Sequence, residues 1–227
     1  MQGLFRSFFT VSFYTFLSRI LGFFRDILIA KFLGSSVTSD AFFVAFRLPN
    51  FFRRVLAEGA YSAALIPVFS GVVIDSKDDH EAADFVENTM SLLLFVTIII
   101  TFIFYFGMPF IIQVLAPGFS SNKEAFDLAV QFGKIIFPYL IFISLVAHFT
   151  SIINVHEKFA AGAFTPAILN ISFILSLFIL TPQLPSAGHA LSYGVLIGGL
   201  FQFIFMYRAV LNFYRPRIRF PQINERL

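Results

Sequence analysis

Long apolar stretches dominate the chain, separated by short clusters of turn-forming or charged residues. Residues 88–122, 135–156 and 159–207 contain no Asp, Glu, Lys or Arg. A bilayer core of roughly 30 Å takes about 20 apolar residues as helix, so the last run alone is long enough for two crossings. Backbone N–H and C=O groups find no water in hydrocarbon, which makes each apolar stretch a helix and places its breaks at turn residues. Six helices follow, over residues 4–32, 38–74, 85–114, 124–155, 164–180 and 190–212. The first stops at Gly34-Ser35-Ser36. The second carries Pro49, Gly59 and Pro67 and is too long to cross straight, so it bends or tilts. The third ends at Ala116-Pro117-Gly118, Pro138 kinks the fourth, and Pro182 and Pro185 close the fifth. The expected fold class is all-α: a polytopic membrane helix bundle, one unit over 1–227, with a basic tail over 213–227.

Composition agrees with lipid surroundings. The chain is 58% hydrophobic and 13% charged, against about 25% charged residues in soluble domains. Arg6 precedes an apolar stretch as in a signal peptide, but no small-residue cleavage site follows, so the first helix reads as retained. There is no cysteine, hence no disulfide framework or thiolate site. His80, His148, His156 and His189 lack metal-ligand spacing, and no phosphate loop or catalytic triad pattern occurs. Neither an enzyme, a cofactor nor a metal is expected. The net charge of +3 does not indicate nucleic acid, because the basic residues are divided between helix interiors and one tail.

Arg6, Lys77, Lys158, Arg208, Arg215, Arg217, Arg219 and Arg226 fall on one side of the six-helix topology, and Lys31 and Lys123 on the other. Positive charge stays cytoplasmic, which places both termini inside. The acidic run 75–87 reads as a solvated loop and helix start.

Charge inside the first two helices changes the picture. Between Arg19 and Arg54 stand six basic residues and two acids. Arg19 falls near the midplane, where an arginine costs about 2.5–3.5 kcal/mol unless it faces protein or a water-filled cavity. Arg19 and Asp26 are seven apart on one helix face, with Arg25 adjacent; Asp40, Arg47 and Arg54 repeat at the same interval, and Asn50 and Arg53 lie three apart. A cavity lined with surplus guanidinium selects anions, because the planar fork matches phosphate oxygens in pairs. The alternative is that these charges lock helices together as salt bridges. For Arg47 and Arg54 a snorkelled position is the competing reading, for Asp40 a helix cap, and for Glu58 a pairing with Arg54. His148 is expected to hydrogen-bond across the bundle, with Asn170 and Gln202 as interhelical glue.

The run Ser18-Arg19-Ile20-Leu21-Gly22-Phe23-Phe24-Arg25-Asp26, then Asp40-Ala41-Phe42-Phe43-Val44-Ala45-Phe46-Arg47-Leu48-Pro49-Asn50-Phe51-Phe52-Arg53-Arg54 and Ala57-Glu58-Gly59-Ala60, closely resembles the opening of the MurJ/MviN lipid II flippase family. Ala116-Pro117-Gly118-Phe119, Phe137-Pro138-Tyr139 and Pro166 to Ser172 are similar to later parts of it. The resemblance implies one lobe of a MATE-like transporter fold of the MOP superfamily, in the bacterial inner membrane. It implies transfer of the undecaprenyl-diphosphate-linked peptidoglycan precursor, lipid II, from the cytoplasmic to the periplasmic leaflet. Its cavity residues fall on Arg19, Arg25, Asp26 and Arg53, with Asp40 on a further motif position. Family members carry a second lobe, with another cavity arginine and a cation site, which no internal repeat supplies here. The 227-residue chain alone is therefore expected not to transport, and a second-lobe polypeptide is a candidate partner. The competing expectations are an exporter of another amphiphile, and a membrane interaction protein that does not transport.

Overall fold

The computed structural model describes the backbone of residues 2–58, 60–75 and 79–219, and side chains within 8–56, 61–72 and 83–219. Its regular elements among these residues are all helical: α1 (Gln2–Leu33), α2 (Val37–Arg53), α3 (Ala60–Asp75), α4 (Asp79–Leu115), α5 (Lys123–Ile136), α6 (Tyr139–Val155), α7 (Ala160–Ile179) and α8 (Ala187–Val210).

Local chemistry sets the helix ends. Gly34 takes a φ of 57°, the left-handed region that glycine enters freely, and its N–H closes α1 on the Ala30 carbonyl at 3.0 Å. Ser36 then caps α2, accepting from the Ser39 N–H at 3.2 Å. Asp40 is not that cap. It lies exposed in the first turn, where a negative charge complements the helix dipole. Asn122 caps α5 through the Ala125 N–H at 3.1 Å.

Two of the expected helices are each a pair. Residues 38–74 divide into α2 and α3 at a π-helical turn, Arg54–Glu58, while Pro49 and Pro67 are carried within helices. Residues 124–155 divide into α5 and α6 at Phe137-Pro138, because Pro138 has no N–H to give the Lys134 carbonyl. By length and apolarity, five helical stretches among the described residues can cross a membrane: Val37–Val72, Ala83–Leu115, Lys123–Val155, Ala160–Ile179 and Ala187–Val210. At 32 residues α1 is long enough, but Arg19, Arg25, Asp26 and Lys31 dilute its apolar character.

The core centres on α6, which is flanked by α3, α4 and α8; α2 and α4 enclose α5, and α7 lies against α8 and carries α1 at the edge. Tyr139, Phe149, Phe132, Phe137, Phe42 and Phe173 are fully enclosed, while Phe8, Phe9, Phe13, Phe16 and Phe106 face outward. Lipid tails are as apolar as these side chains, so close packing and interhelical hydrogen bonds, rather than escape from water, hold the helices together. Close packing is tightest along α8. A Cβ placed on Gly198 would meet Leu169 Cδ1 of α7 at 2.8 Å, and one on Gly199 would strike the Tyr139 ring of α6.

Beyond α8 the chain turns back to the start of α4. The Arg219 N–H donates to Ser91 Oγ at 3.0 Å, Arg219 Nη1 donates to Asp84 Oδ1 at 2.6 Å, and its Nε pairs with the buried Glu87. Burial, then the Glu87 carboxylate, push the Tyr214 hydroxyl above its usual ionisation range. Asp84 and Glu87, expected in a solvated acidic run, thus anchor the basic segment after α8; the side chains of 75–82 and residues 220–227 lie outside the described residues.

Candidate functional site

Arg25 leaves α1 toward α7. Its Nε and Nη2 donate to Asp26 Oδ1 at 2.9 and 2.7 Å, and its Nη1 donates to Asn170 Oδ1 at 2.7 Å. The guanidinium carbon stands 5.5 Å from the Phe173 ring centroid, within cation–π range. Asn170 Nδ2 in turn donates to the Ser18 carbonyl at 2.9 Å, so one amide both joins α1 to α7 and fixes the arginine. At the end of α2, Arg53 Nε donates to Asn50 Oδ1, three residues earlier, at 3.2 Å. Arg54 opens the π-helical turn.

These side chains border one cavity of about 450 Å³, within the range of roughly 300–1,000 Å³ typical of ligand sites. Arg25, Asn50, Arg53 and Arg54 line it from α1, α2 and the turn; Thr150, Gly162, Thr165, Asn170 and Gln202 line it from α6, α7 and α8. Three guanidinium groups and no carboxylate appear among the described residues of this lining. In surroundings of low dielectric such charges act far more strongly than in water. Neutral amides and hydroxyls complete the wall, an arrangement suited to holding an anion.

Of the residues selected from sequence, Arg25 and Arg53 meet at this cavity. Asp26 borders it indirectly, through its bond to Arg25, with 65% of its side chain exposed. Arg19 and Asp40 are exposed on α1 and α2 and are not among the lining residues. Arg47 is likewise exposed; Arg54 is exposed as well, yet also lines the cavity. Asn170 and Gln202 do bridge helices, Gln202 Nε2 donating to the Thr165 carbonyl at 2.9 Å, but both also border the cavity. The sequence signal for that second role is faint: single amides inside apolar runs.

Past the π-helical turn, a polar seam holds α3 to α6. Tyr61 Oη and His148 Nδ1 are 2.7 Å apart, Ser151 Oγ donates to Ser62 Oγ at 3.2 Å, and Ser62 Oγ donates to the Leu56 carbonyl at 3.3 Å. Elsewhere, His156 stacks on Phe213 with centroids 4.9 Å apart and His189 contacts Ser186. Among the described residues no cluster of His, Asp or Glu is placed to hold a metal. The Glu58 side chain, and hence its expected pairing with Arg54, lies outside the described residues, as does His80.

Fold and cavity together define a multi-pass membrane protein with a cationic chamber between its helices. The sequence model of the family described as Lipid II flippase MurJ matches residues 29–227. A Burkholderia cenocepacia protein named "Lipid II flippase MurJ" is 37% identical over 204 residues, covering 89% of this chain and 39% of its own length. A "Probable lipid II flippase MurJ" of Rickettsia prowazekii is 39% identical over 207 residues, covering 91% of this chain and 40% of its own. A solved structure, "Lipid II flippase MurJ, inward closed conformation", superposes with a TM-score of 0.78 at 32% identity, over 92% of this chain and 43% of that one. The chain belongs to the MurJ family, a family of the bacterial inner membrane, and spans about two-fifths of the length of the relatives it matches.

Proposed function

We propose that the chain acts as the amino-terminal lobe of a lipid II flippase. In this reading Arg25 and Arg53, joined by Arg54, take the diphosphate of lipid II while the isoprenoid chain stays among lipid tails. The observation that carries it is the convergence of three guanidinium groups on one cavity. Asp26 and Asn170 occupy three of the five N–H donors of Arg25, leaving two for a ligand. Asp26 thereby orients the fork rather than cancelling it. Arg19 and Asp40, on exposed positions of α1 and α2, extend the charged surface toward a second lobe that closes the chamber. Transfer between leaflets is a rocking of the two lobes about a midplane site. The excess of Lys and Arg at one set of helix ends supports a cytoplasmic position for both ends of this lobe, with the basic segment after α8.

The test is binding of undecaprenyl diphosphate to the purified chain in lipid nanodiscs. Arg25→Met and Arg53→Met should each weaken it at least about tenfold, the loss of one charge-assisted hydrogen-bonding group, and Arg25→Lys should restore only part of the loss. Unchanged binding in the double variant rejects the cationic site. For transport, the same changes in a full-length relative should abolish lipid II translocation in liposomes.

A further inference from the structure

Gln202 has a feature that its place as interhelical glue does not use. It is buried in α8, with 2% of its surface exposed. Its Nε2 donates to the Thr165 carbonyl at 2.9 Å, yet its Oε1 is enclosed and meets no donor among the described residues. Turning the amide over would set oxygen against the Thr165 carbonyl oxygen, so the Thr165 bond fixes which atom is left over. Gln202 and Thr165 both line the chamber that Arg25, Arg53 and Arg54 border. Gly162 lines it too, and one turn on, Pro166 has no N–H to give the Gly162 carbonyl.

The α7–α8 wall is therefore rich in acceptors, while α1, α2 and the turn supply cations. Guanidinium groups take an anion but accept nothing, and an acceptor carbonyl repels one. A fully ionised diphosphate satisfies the first wall and offers nothing to the second. Gln202 Oε1 is closed to chamber water as the side chains stand, so it is already stranded, and a ligand that reaches it with an O–H or N–H gains a bond that a bare diphosphate cannot make.

We infer that Gln202 reads a hydrogen-bond donor on the group attached to the diphosphate, so that the chamber distinguishes a glycosylated lipid diphosphate, with its hydroxyl and amide hydrogens, from the bare one. The inference rests on the diphosphate reading above. Sites built around a buried hydrogen-bonding group discriminate strongly against ligands lacking its partner, because the group is then stranded.

The experiment compares lipid II with undecaprenyl diphosphate on the same chain in nanodiscs. The wild type should bind lipid II at least about tenfold more tightly. Gln202→Met, close in volume and without the acceptor, should bring the two affinities within about twofold by losses on the lipid II arm alone. Equal wild-type affinities overturn the assignment, as does a ratio that survives Gln202→Met. Equal weakening of both lipids in the variant also overturns it, since that is what loss of the Thr165 bridge alone produces. Should the variant not fold, the wild-type ratio still decides. Failure of the wild type to bind either lipid rejects the diphosphate reading itself, a result distinct from the others.

Discussion

Asn170→Leu removes a single amide whose two short bonds across the α1–α7 seam go to Arg25 at 2.7 Å and to the Ser18 carbonyl at 2.9 Å, with a longer one to Ser18 Oγ at 3.5 Å. A hydrogen bond to a charged group contributes about 1.5–3 kcal/mol in soluble proteins, but measured interhelical bonds in membranes average about 0.6 and reach about 1.7 kcal/mol. The Arg25 side chain is 27% exposed and keeps Asp26 as a second partner, so the membrane scale is the applicable one. The Arg25 bond should then lie near its upper end, about 1–1.7 kcal/mol, and the Ser18 bond near its mean of about 0.6. Together they predict a loss of roughly 2 kcal/mol for Asn170→Leu. A double-mutant cycle with Arg25→Met, read by reversible unfolding in mixed micelles, isolates the pair. Its coupling energy should be about 1–1.7 kcal/mol. A value under about 0.3 kcal/mol, which independent sites give, would refute the claim that Asn170 holds the guanidinium in place.

Three further outcomes follow from the packing. Gly198→Val forces a branched side chain against Leu169 and Ser172, where even a Cβ sits at 2.8 and 3.0 Å, and should cost about 1–3 kcal/mol in the same unfolding assay; wild-type stability would show that α7 and α8 can separate. Arg219→Gln should free the segment after α8 from Asp84 and Glu87, so that trypsin cuts after Arg217 several-fold faster, as followed by mass spectrometry. Deleting Val55 removes the extra residue of the π-helical turn and rotates α3 by about 100° relative to α2. A cysteine pair replacing Ser62 and Ser151, whose hydroxyl oxygens stand 3.2 Å apart, should crosslink in the parent and fail to do so in the deletion variant, because α3 no longer turns that face to α6.

The helical membrane class was legible because uncharged runs of this length permit nothing else, and the helix-ending chemistry at Gly34, Ser36 and Asn122 stands openly in the sequence. The two split helices were less so. Proline marks several positions along them, and only packing decides that Pro49 and Pro67 are carried inside helices while Pro138 separates two. A π-helical turn adds one residue without a compositional signature of its own, so Arg54 was counted on a stripe that assumed an unbroken helix; the cavity receives it beside Arg53 instead. Arg19 and Asp40 share the seven-residue spacing of their neighbours yet lie exposed, because spacing along one helix cannot say which face meets the rest of the bundle. Asn170 and Gln202 were recognisable as polar residues in costly places. Their proximity to the arginines depends on α7 and α8 folding back over α1, a distance of 145 residues along the chain for Asn170 and Arg25.

The bare stretch of α8 has a mechanical consequence. Where α8 carries no side chain of its own, Leu169, Ser172 and Tyr139 of its neighbours seat directly on its backbone and leave little room for sliding, so α6, α7 and α8 travel as one block. Any deformation that admits or releases a bulky headgroup then falls to the members outside that block: α1, which packs almost wholly on α7, and the α2–α3 arm at its π-helical joint. Arg25 and Arg53 are carried by those pliant members, whereas Gln202 belongs to the stiff block.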